Sequence, residues 1–425
     1  MIREDLIHYI WKTKSFDQSD IKTTDGQDIT IVNFGHHNHD AGPDFLNAKV
    51  EINSTLWAGH IEIHLKASDW LRHRHDNDPA YQNVILHVVM EADSPIKLQD
   101  GTKIPCIELK NRINHQLIGK YQYLQNNQSW IPCAALITST SQITRETTKS
   151  RAIAQRLTHK AKLLTTELSN LNQDLNELIY QRLAWAFGLK VNANTMVTLT
   201  RSIPYTIIAK HKDQKLQIEA LLFGQSGLLP KESEEPYVQR LIREYDVLKA
   251  KFNLAPLAAV QWKFSKLRPP AFPTIRIAQF AAFLYAIPRL DDLIFNHGLK
   301  EIKQSLDIAL GGYWKDHYRF GRTSTARKKT LGPGTQSIII INAIVPILYM
   351  YGADRQSESH REKAIELLES LPPELNSITK RWSQLEMTND NAADSQALLE
   401  LKKANCDQHQ CMSCPIGHKI VSEDI

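Results

Sequence analysis

Apolar residues at Leu6, Ile7, Ile10 and Trp11 share one stripe of a helical repeat, which predicts an amphipathic helix over residues 2–12 with Glu4 and His8 on a neighbouring face. After the Asp25-Gly26 turn come three segments of strand character, residues 28–34, 45–52 and 59–66, the first two rich in β-branched or alternating residues and the last two separated by an Asn53-Ser54 turn. Ser68 is placed to cap a helical stretch through Asp69, Trp70 and Leu71 that ends before Pro79. Residues 84–90 are almost continuously apolar, as in a strand buried on both faces. The N-terminal order is therefore helix, three strands, helix, strand.

From about residue 141 the pattern becomes helical. Residues 144–186 contain neither Pro nor Gly, and the same periodicity returns over 237–253, 336–351, 357–371 and 392–404. The expected class is α+β: an α/β domain over residues 1–135, a mostly α-helical domain over 136–400, and a cysteine-bearing segment over 401–425. A stretch rich in Gln, Asn, Ser and Thr, residues 122–143, marks the boundary of the first domain. Neither a fixed-period repeat nor a low-complexity tract is visible.

With 425 residues, 42% hydrophobic and 23% charged, the chain has the composition of a folded protein of more than one domain, and disordered or fibrous classes are excluded. The most apolar run, residues 338–350, is interrupted by Asn342 and Pro346 and is shorter than a bilayer span, so a buried helix is expected there. Glu4 and Asp5 interrupt the N-terminus where a secretory leader would be apolar, and a cytoplasmic protein is expected. A net charge of +5 permits a polyanionic partner without requiring one.

Chemistry concentrates near the N-terminus, where eight of the 17 histidines fall between residues 36 and 87, interleaved with acids. In His60-Ile61-Glu62-Ile63-His64-Leu65-Lys66 the strand period sends His60, Glu62, His64 and Lys66 to one face. Asp44 begins the preceding strand, and pairing of the two strands brings its carboxylate towards Glu62. Converging carboxylates suit Mg²⁺, and an adjacent imidazole extends the choice to Mn²⁺ or Zn²⁺. A metal so placed polarises a phosphodiester and activates water.

Pro43-Asp44, then seventeen residues, then Glu62-Ile63-His64, on this order of elements, resembles the PD-(D/E)xK nuclease superfamily. The resemblance implies a restriction-endonuclease-like fold in which Asp44 and Glu62 hold a divalent metal (Mg²⁺ or Mn²⁺). Glu4 matches the acid that many members carry on the first helix. The position of the usual lysine is His64, with Lys66 two residues later on the same face, so the familiar catalytic route is in question. The chain as a whole is also similar to an uncharacterised bacterial domain-of-unknown-function family, through DAGPDFLNA, WAGHIEIHLKASDW, YQNVILHVV, RPPAFPTIRIAQ and the terminal cysteines.

A simpler account competes at each position. Pro-Asp is a common turn dipeptide, and alternation of Ile with charge suits any half-exposed strand. His73, His75 and Asp76 are expected at a surface helix end, and His87 as a hydrogen-bonded core residue. His36, His37 and His39 offer a third reading, a zinc hydrolase acting on a small substrate.

Cys406, Cys411 and Cys414 lie close enough in sequence for several thiolates to reach one metal. The fourth ligand is open: His418 or His409 would complete a zinc site, and Cys133 or Cys106 would complete four thiolates for zinc or an iron–sulfur cluster. Some nucleases of the superfamily named above tie an N-terminal cysteine to a C-terminal trio around such a cluster. Unligated buried cysteines are the alternative. Farther in, Lys315, Arg319, Arg322, Arg327, Lys328 and Lys329 alternate with Tyr313, Trp314, Tyr318 and Phe320, a mixture able to track DNA or RNA phosphates and stack on bases, or else a solvated loop. Arg268 and Arg276 flank a proline-rich turn as weaker candidates, with buried ion pairs as the alternative. The combined expectation is a metal-dependent nuclease with an accessory cysteine-ligated metal. A non-catalytic nucleic-acid or protein binding module with structural metals is the alternative.

Overall fold

Helix α1 (Glu4–Thr13) buries the expected stripe completely, Leu6, Ile7, Ile10 and Trp11 being 0% exposed. Glu4 and Asp5 in its first turn and Lys12 in its last complement the helix dipole, and Lys14, at φ 56°, ends it with a left-handed cap. This is the first element of a computed structural model that describes residues 2–38 and 40–423. The chain divides into two units, one comprising Met1–Ser150, Gln384–Met387 and Leu399–Ile425, the other Arg151–Ser383 and Thr388–Leu398. The cysteine-bearing terminus therefore belongs to the first unit.

That unit contains a curled mixed sheet in the order β1 (Ile29–Asn33), β3 (Phe45–Ile52), β4 (Thr55–Lys66), β5 (Val84–Glu91), β6 (Cys106–Glu108), with the short β2 (His36–His37) also paired to β3. The pairs β1–β3 and β3–β4 are antiparallel, whereas β4–β5 and β5–β6 are parallel. Asn53 and Ser54 both take positive φ (48° and 64°), the geometry that matches a two-residue hairpin to strand twist. Residues 84–89 are all buried because β5 is an inner strand, flanked by β4 and β6. Trp70, Tyr81, Val84, Val89, Ile96 and Ile104 form a core layer against it.

Several details differ from expectation. β4 starts at Thr55, four residues early, in a stretch whose Leu56 and Trp57 are exposed. Strand β6 is three residues long, too short to carry a readable period. Helix α2 is only Asp69–Arg72, and Ser68 does not cap it; its hydroxyl donates to Asp93 instead. Two short turns, His75–Asn77 and Pro79–Tyr81, return the chain to β5. Helix α3 (His115–Asn126) follows β6.

The second unit is helical. The expected run 144–186 is two helices, α4 (Gln142–Asn170) and α5 (Leu175–Phe187), because Asn172 and Gln173 take positive φ and Asp174 caps the second through the Glu177 amide. The apolar segment lies within a continuous helix, Pro333–Asp354, long and apolar enough to cross a membrane by length and composition, with 72% of its apolar window buried inside the fold. A π-helical turn at Ile340–Ile344 interrupts it just before Pro346.

Candidate metal centre

Pairing of β3 with β4 near this end stops at Phe45 opposite Ile61, which leaves backbone groups for side chains to satisfy. The Asp44 amide donates to Glu62 Oε2 (3.1 Å), and the Ile63 amide donates to Asp44 Oδ2 (2.9 Å). The two carboxylates therefore hold each other at the sheet end. Helix α1 adds His8, whose Nε2 lies 3.2 Å from Asp44 Oδ2. Glu62 Oε1 lies 3.2 Å from His75 Nε2 and 3.6 Å from His64 Nε2. His64 Nε2 is in turn 3.1 Å from His73 Nδ1, while its Nδ1 is 2.9 Å from His87 Nε2.

Sequence alternation is thus only half of the arrangement. Because α2 is a single turn, residues 69–81 fold back over β4, and Trp70 packs edge-on against His64, His75 and His87. Tyr81 stacks on His75 with ring centroids 3.8 Å apart. The middle of the polar face of β4 is covered, Glu62 being 4% and His64 1% exposed, whereas Lys66 at its end is open to solvent.

Burial governs the electrostatics. It pushes Glu62 up to about 7, with the charge of Asp44 adding to the effect and His75 opposing it. Burial also pulls His64 down to about 2, assisted by His87, His75 and His73, and His87 down to about 4. For His8, burial pulls downward, but the hydrogen bond and charge of Asp44, with Glu4 and Glu62, outweigh it and raise the imidazole above its ordinary value. His64 and His87 are consequently neutral near pH 7, the form that ligates metal. One ligand nitrogen from each of His64, His73 and His75 lies within 4.8 Å of the others. Tetrahedral zinc, with Zn–N of roughly 2.0–2.1 Å, places such nitrogens about 3.3 Å apart.

Of the residues expected to act, Asp44, Glu62 and His64 come together. Glu4 contributes through its charge on His8. Lys66 is exposed at the end of β4, and its charge acts on Asp93 rather than on Glu62. His73, exposed as the residue that ends α2, stands at a surface helix end as expected, with half-buried His75 just after it; both also reach the cluster, and their His-x-His spacing just after a short helix was the available signal. Asp76 instead accepts from its neighbour Asn77. His87 is a hydrogen-bonded core residue, 0% exposed. His36 is exposed on β2, His37 stacks on Phe45 (4.9 Å), and His39 lies outside the described residues.

The family described as "Protein of unknown function (DUF2851)" matches residues 4–377. The chain belongs to this family. The matched span holds the whole histidine–carboxylate cluster and ends before the terminal cysteines. Neither a curated protein nor a solved structure matches the chain.

In this family member the remaining candidates lie elsewhere. Cys133, Cys406, Cys411 and Cys414 line one small cavity of the first unit. Burial raises the thiols of Cys411, to about 12, and of Cys133 and Cys406, further still, and the neighbouring cysteines add to it. Cys106 sits apart on β6, opposite His87. His418 is engaged by the Tyr9 hydroxyl (2.8 Å), and His409 Nδ1 lies 3.3 Å from the Leu124 carbonyl.

In the second unit, Lys315, Arg322, Arg327 and Lys328 are exposed, but the rings between them are not presented for stacking. Trp314 is 2% exposed and packs with Phe223 and Phe320, while Tyr313 stacks on Tyr237 and His317. Arg319 lies over Phe264 and Phe272 (4.0 and 4.6 Å), and buried Lys329 donates to the Lys315 carbonyl. Arg276 is buried and donates to the Gln279 amide oxygen, not to a carboxylate; Arg268 is exposed.

Proposed function

We propose that this protein is a metal-dependent hydrolase of phosphodiester bonds in nucleic acid, built on a restriction-endonuclease-like core of the PD-(D/E)xK kind. The observation that carries the reading is the position of Glu62, whose Oε1 lies 3.2 Å from His75 Nε2 and 3.6 Å from His64 Nε2 while its other oxygen accepts the Asp44 amide. His64, His73 and His75 would hold the ion. Three imidazoles favour Zn²⁺ over the Mg²⁺ or Mn²⁺ that carboxylates alone suggest. A bound ion supplies charge to the phosphoryl oxygen and lowers the pKa of the attacking water. Glu62, pushed up to about 7, is matched to accept that water's proton near neutral pH. As the new P–O bond forms, the bond to the leaving oxygen breaks, and that oxygen takes a proton from solvent. Asp44, paired with His8, orients Glu62.

The burial of Glu62 and His64 favours a second reading, a closed structural metal site in a binding module. One experiment separates the two. Labelled single- and double-stranded DNA and RNA oligonucleotides are incubated with protein loaded with Zn²⁺ or Mn²⁺, and with Glu62→Gln. Cleavage that needs the ion and falls on the order of 100-fold or more in Glu62→Gln, with metal content kept, supports the hydrolase. Loaded protein that cleaves none of these substrates overturns it and leaves the structural site.

A further inference from the structure

Four thiols border one cavity, Cys133 from the segment after α3 and Cys406, Cys411 and Cys414 from the terminus, with Pro132, Asn405, Gln410 and Gly417 completing its wall. The terminal backbone departs from regular helix at each step that gathers them. The helix Ala392–Glu400 widens into a π-helical turn, Leu401–Cys406, a distortion common at functional sites. His409 then takes positive φ (51°), and the Gln410 amide donates back to Asn405, reversing the chain between Cys406 and Cys411. A single 3-10 turn, Cys411–Ser413, sets Cys414 against Cys411, and Pro415 starts the C-terminal helix Pro415–Ser422. Gly417 permits that helix to close on the turn, since a Cβ there would lie 2.1 Å from the Cys411 carbonyl oxygen. None of the four is in a disulfide.

We infer that Cys133, Cys406, Cys411 and Cys414 form a four-thiolate metal centre that fastens the terminal segment to helices α1 and α3 of the first unit. The ligand set is that of a thiophilic metal, zinc or an iron–sulfur cluster. Cys106, on β6, is excluded from it. The same fastening is visible in polar contacts: Tyr9 of α1 meets His418 (2.8 Å), Gln125 of α3 donates to the His409 carbonyl (3.1 Å), and Tyr121 of α3 donates to Asp5 of α1 (2.7 Å). Because α1 also carries His8, the centre supports the helix that reaches Asp44. This assignment stands whether or not the histidine–carboxylate site hydrolyses anything.

The test is elemental analysis and visible absorbance of full-length protein purified without oxygen, wild type beside Cys133→Ser, Cys414→Ser and Cys106→Ser. Stoichiometric zinc, or iron with sulfide and broad visible absorbance, is expected in wild type and in Cys106→Ser and lost in the other two; the element found distinguishes zinc from cluster. Metal retained unchanged in both Cys133→Ser and Cys414→Ser overturns the inference. Should the serine variants not fold, cobalt added to metal-free wild-type protein decides it. Charge-transfer absorption of cobalt–thiolate bonds is expected, which histidine ligation cannot give, and its absence overturns the centre.

Discussion

Nδ1 of His64 lies 2.9 Å from Nε2 of His87, so a single proton is shared between two buried imidazoles. If His64 donates, its Nε2 lone pair faces His73, His75 and Glu62; if His87 donates, Nε2 carries the proton and cannot bind metal. Metal binding at His64 Nε2 would select the first tautomer, with His87 as the outer partner that orients it. Replacing His87 by Phe keeps the ring volume approximately and removes the acceptor. Affinity for Zn²⁺, measured by competition with a chromophoric chelator, is expected to fall about 10- to 100-fold. An unchanged affinity would show that His64 does not ligate through Nε2.

The same buried groups give the metal-free protein a defined acid response. His64 and His87, at about 2 and 4 in the fold against 6.5 in the unfolded chain, gain protons on unfolding below pH 6.5. Glu62, at about 7 against 4.5, loses one on unfolding between those values. Between pH 6.5 and 4.5 the balance is an uptake of about one proton, so stability falls on acidification by roughly 1.4 kcal/mol per pH unit, and more steeply only from 4.5 to about 4, where Glu62 no longer opposes it and His87 is still neutral in the fold. Amide exchange in β4 and β5, corrected for intrinsic rate, reads this slope. In His87→Phe it is expected to flatten, because the remaining imidazole and carboxyl then cancel.

Reading the chain alone locates one half of this site. Period-two alternation puts Glu62 and His64 on one face of β4, and Pro43-Asp44 opens β3, because strand geometry is local. His73 and His75 are placed by tertiary packing: α2 is too short to show a helical period, and the burial of Trp70 and the stacking of Tyr81 on His75 bring them back over β4. The converse happens at residues 313–320, where interleaved rings and cations suggested a stacking surface. There the elements are two to four residues long, too short for any pattern to reveal that Trp314 and its neighbours pack inward.

Gly59 tests how closely the sheet is built around the site. A Cβ there would lie 2.5 Å from the Asn83 carbonyl oxygen and 2.5 Å from Ile85 Cγ2, where the parallel pairing of β4 and β5 begins. Gly59→Ala must push the strands apart just before Glu62 and His64, at a cost of about 1–3 kcal/mol. Exchange protection of β4 should fall accordingly, with metal affinity falling alongside. A variant as stable as wild type would mean that β4 and β5 are less closely paired there.

Exposed cations at Lys315, Arg322, Arg327 and Lys328 are the second unit's contribution to the nucleic-acid reading; Arg319 is left out because its guanidinium lies over Phe264 and Phe272. Replacing the four by alanine removes up to four phosphate contacts. Plotted as log affinity against log salt concentration for duplex DNA, the slope should shrink by about 3 to 4. Since the rings between them are packed inward, affinity for single strands should drop no more than for duplex. A slope identical to wild type would remove this loop from any nucleic-acid interface.

Removal of the thiolate-bound metal should be felt at α1 before it is felt at the sheet. The polar contacts that tie the terminus to α1 and α3 include Tyr9 with His418 and Gln125 with the His409 carbonyl, and the turns that carry Cys406, Cys411 and Cys414 have little regular structure of their own. Metal binding to such a segment is a large part of its folding free energy. Chelation under reducing conditions is therefore expected to raise amide exchange at least about 10-fold, near 1.4 kcal/mol, in Pro415–Ser422 and in the exposed turns of α1, with helix α5 of the second unit as the unchanged reference. His8 shares α1 with Tyr9, so the metal-free protein should also bind Zn²⁺ more weakly at the histidine cluster. Loss of protection confined to the C-terminal helix would show that α1 is held by its buried Leu6, Ile7, Ile10 and Trp11 alone.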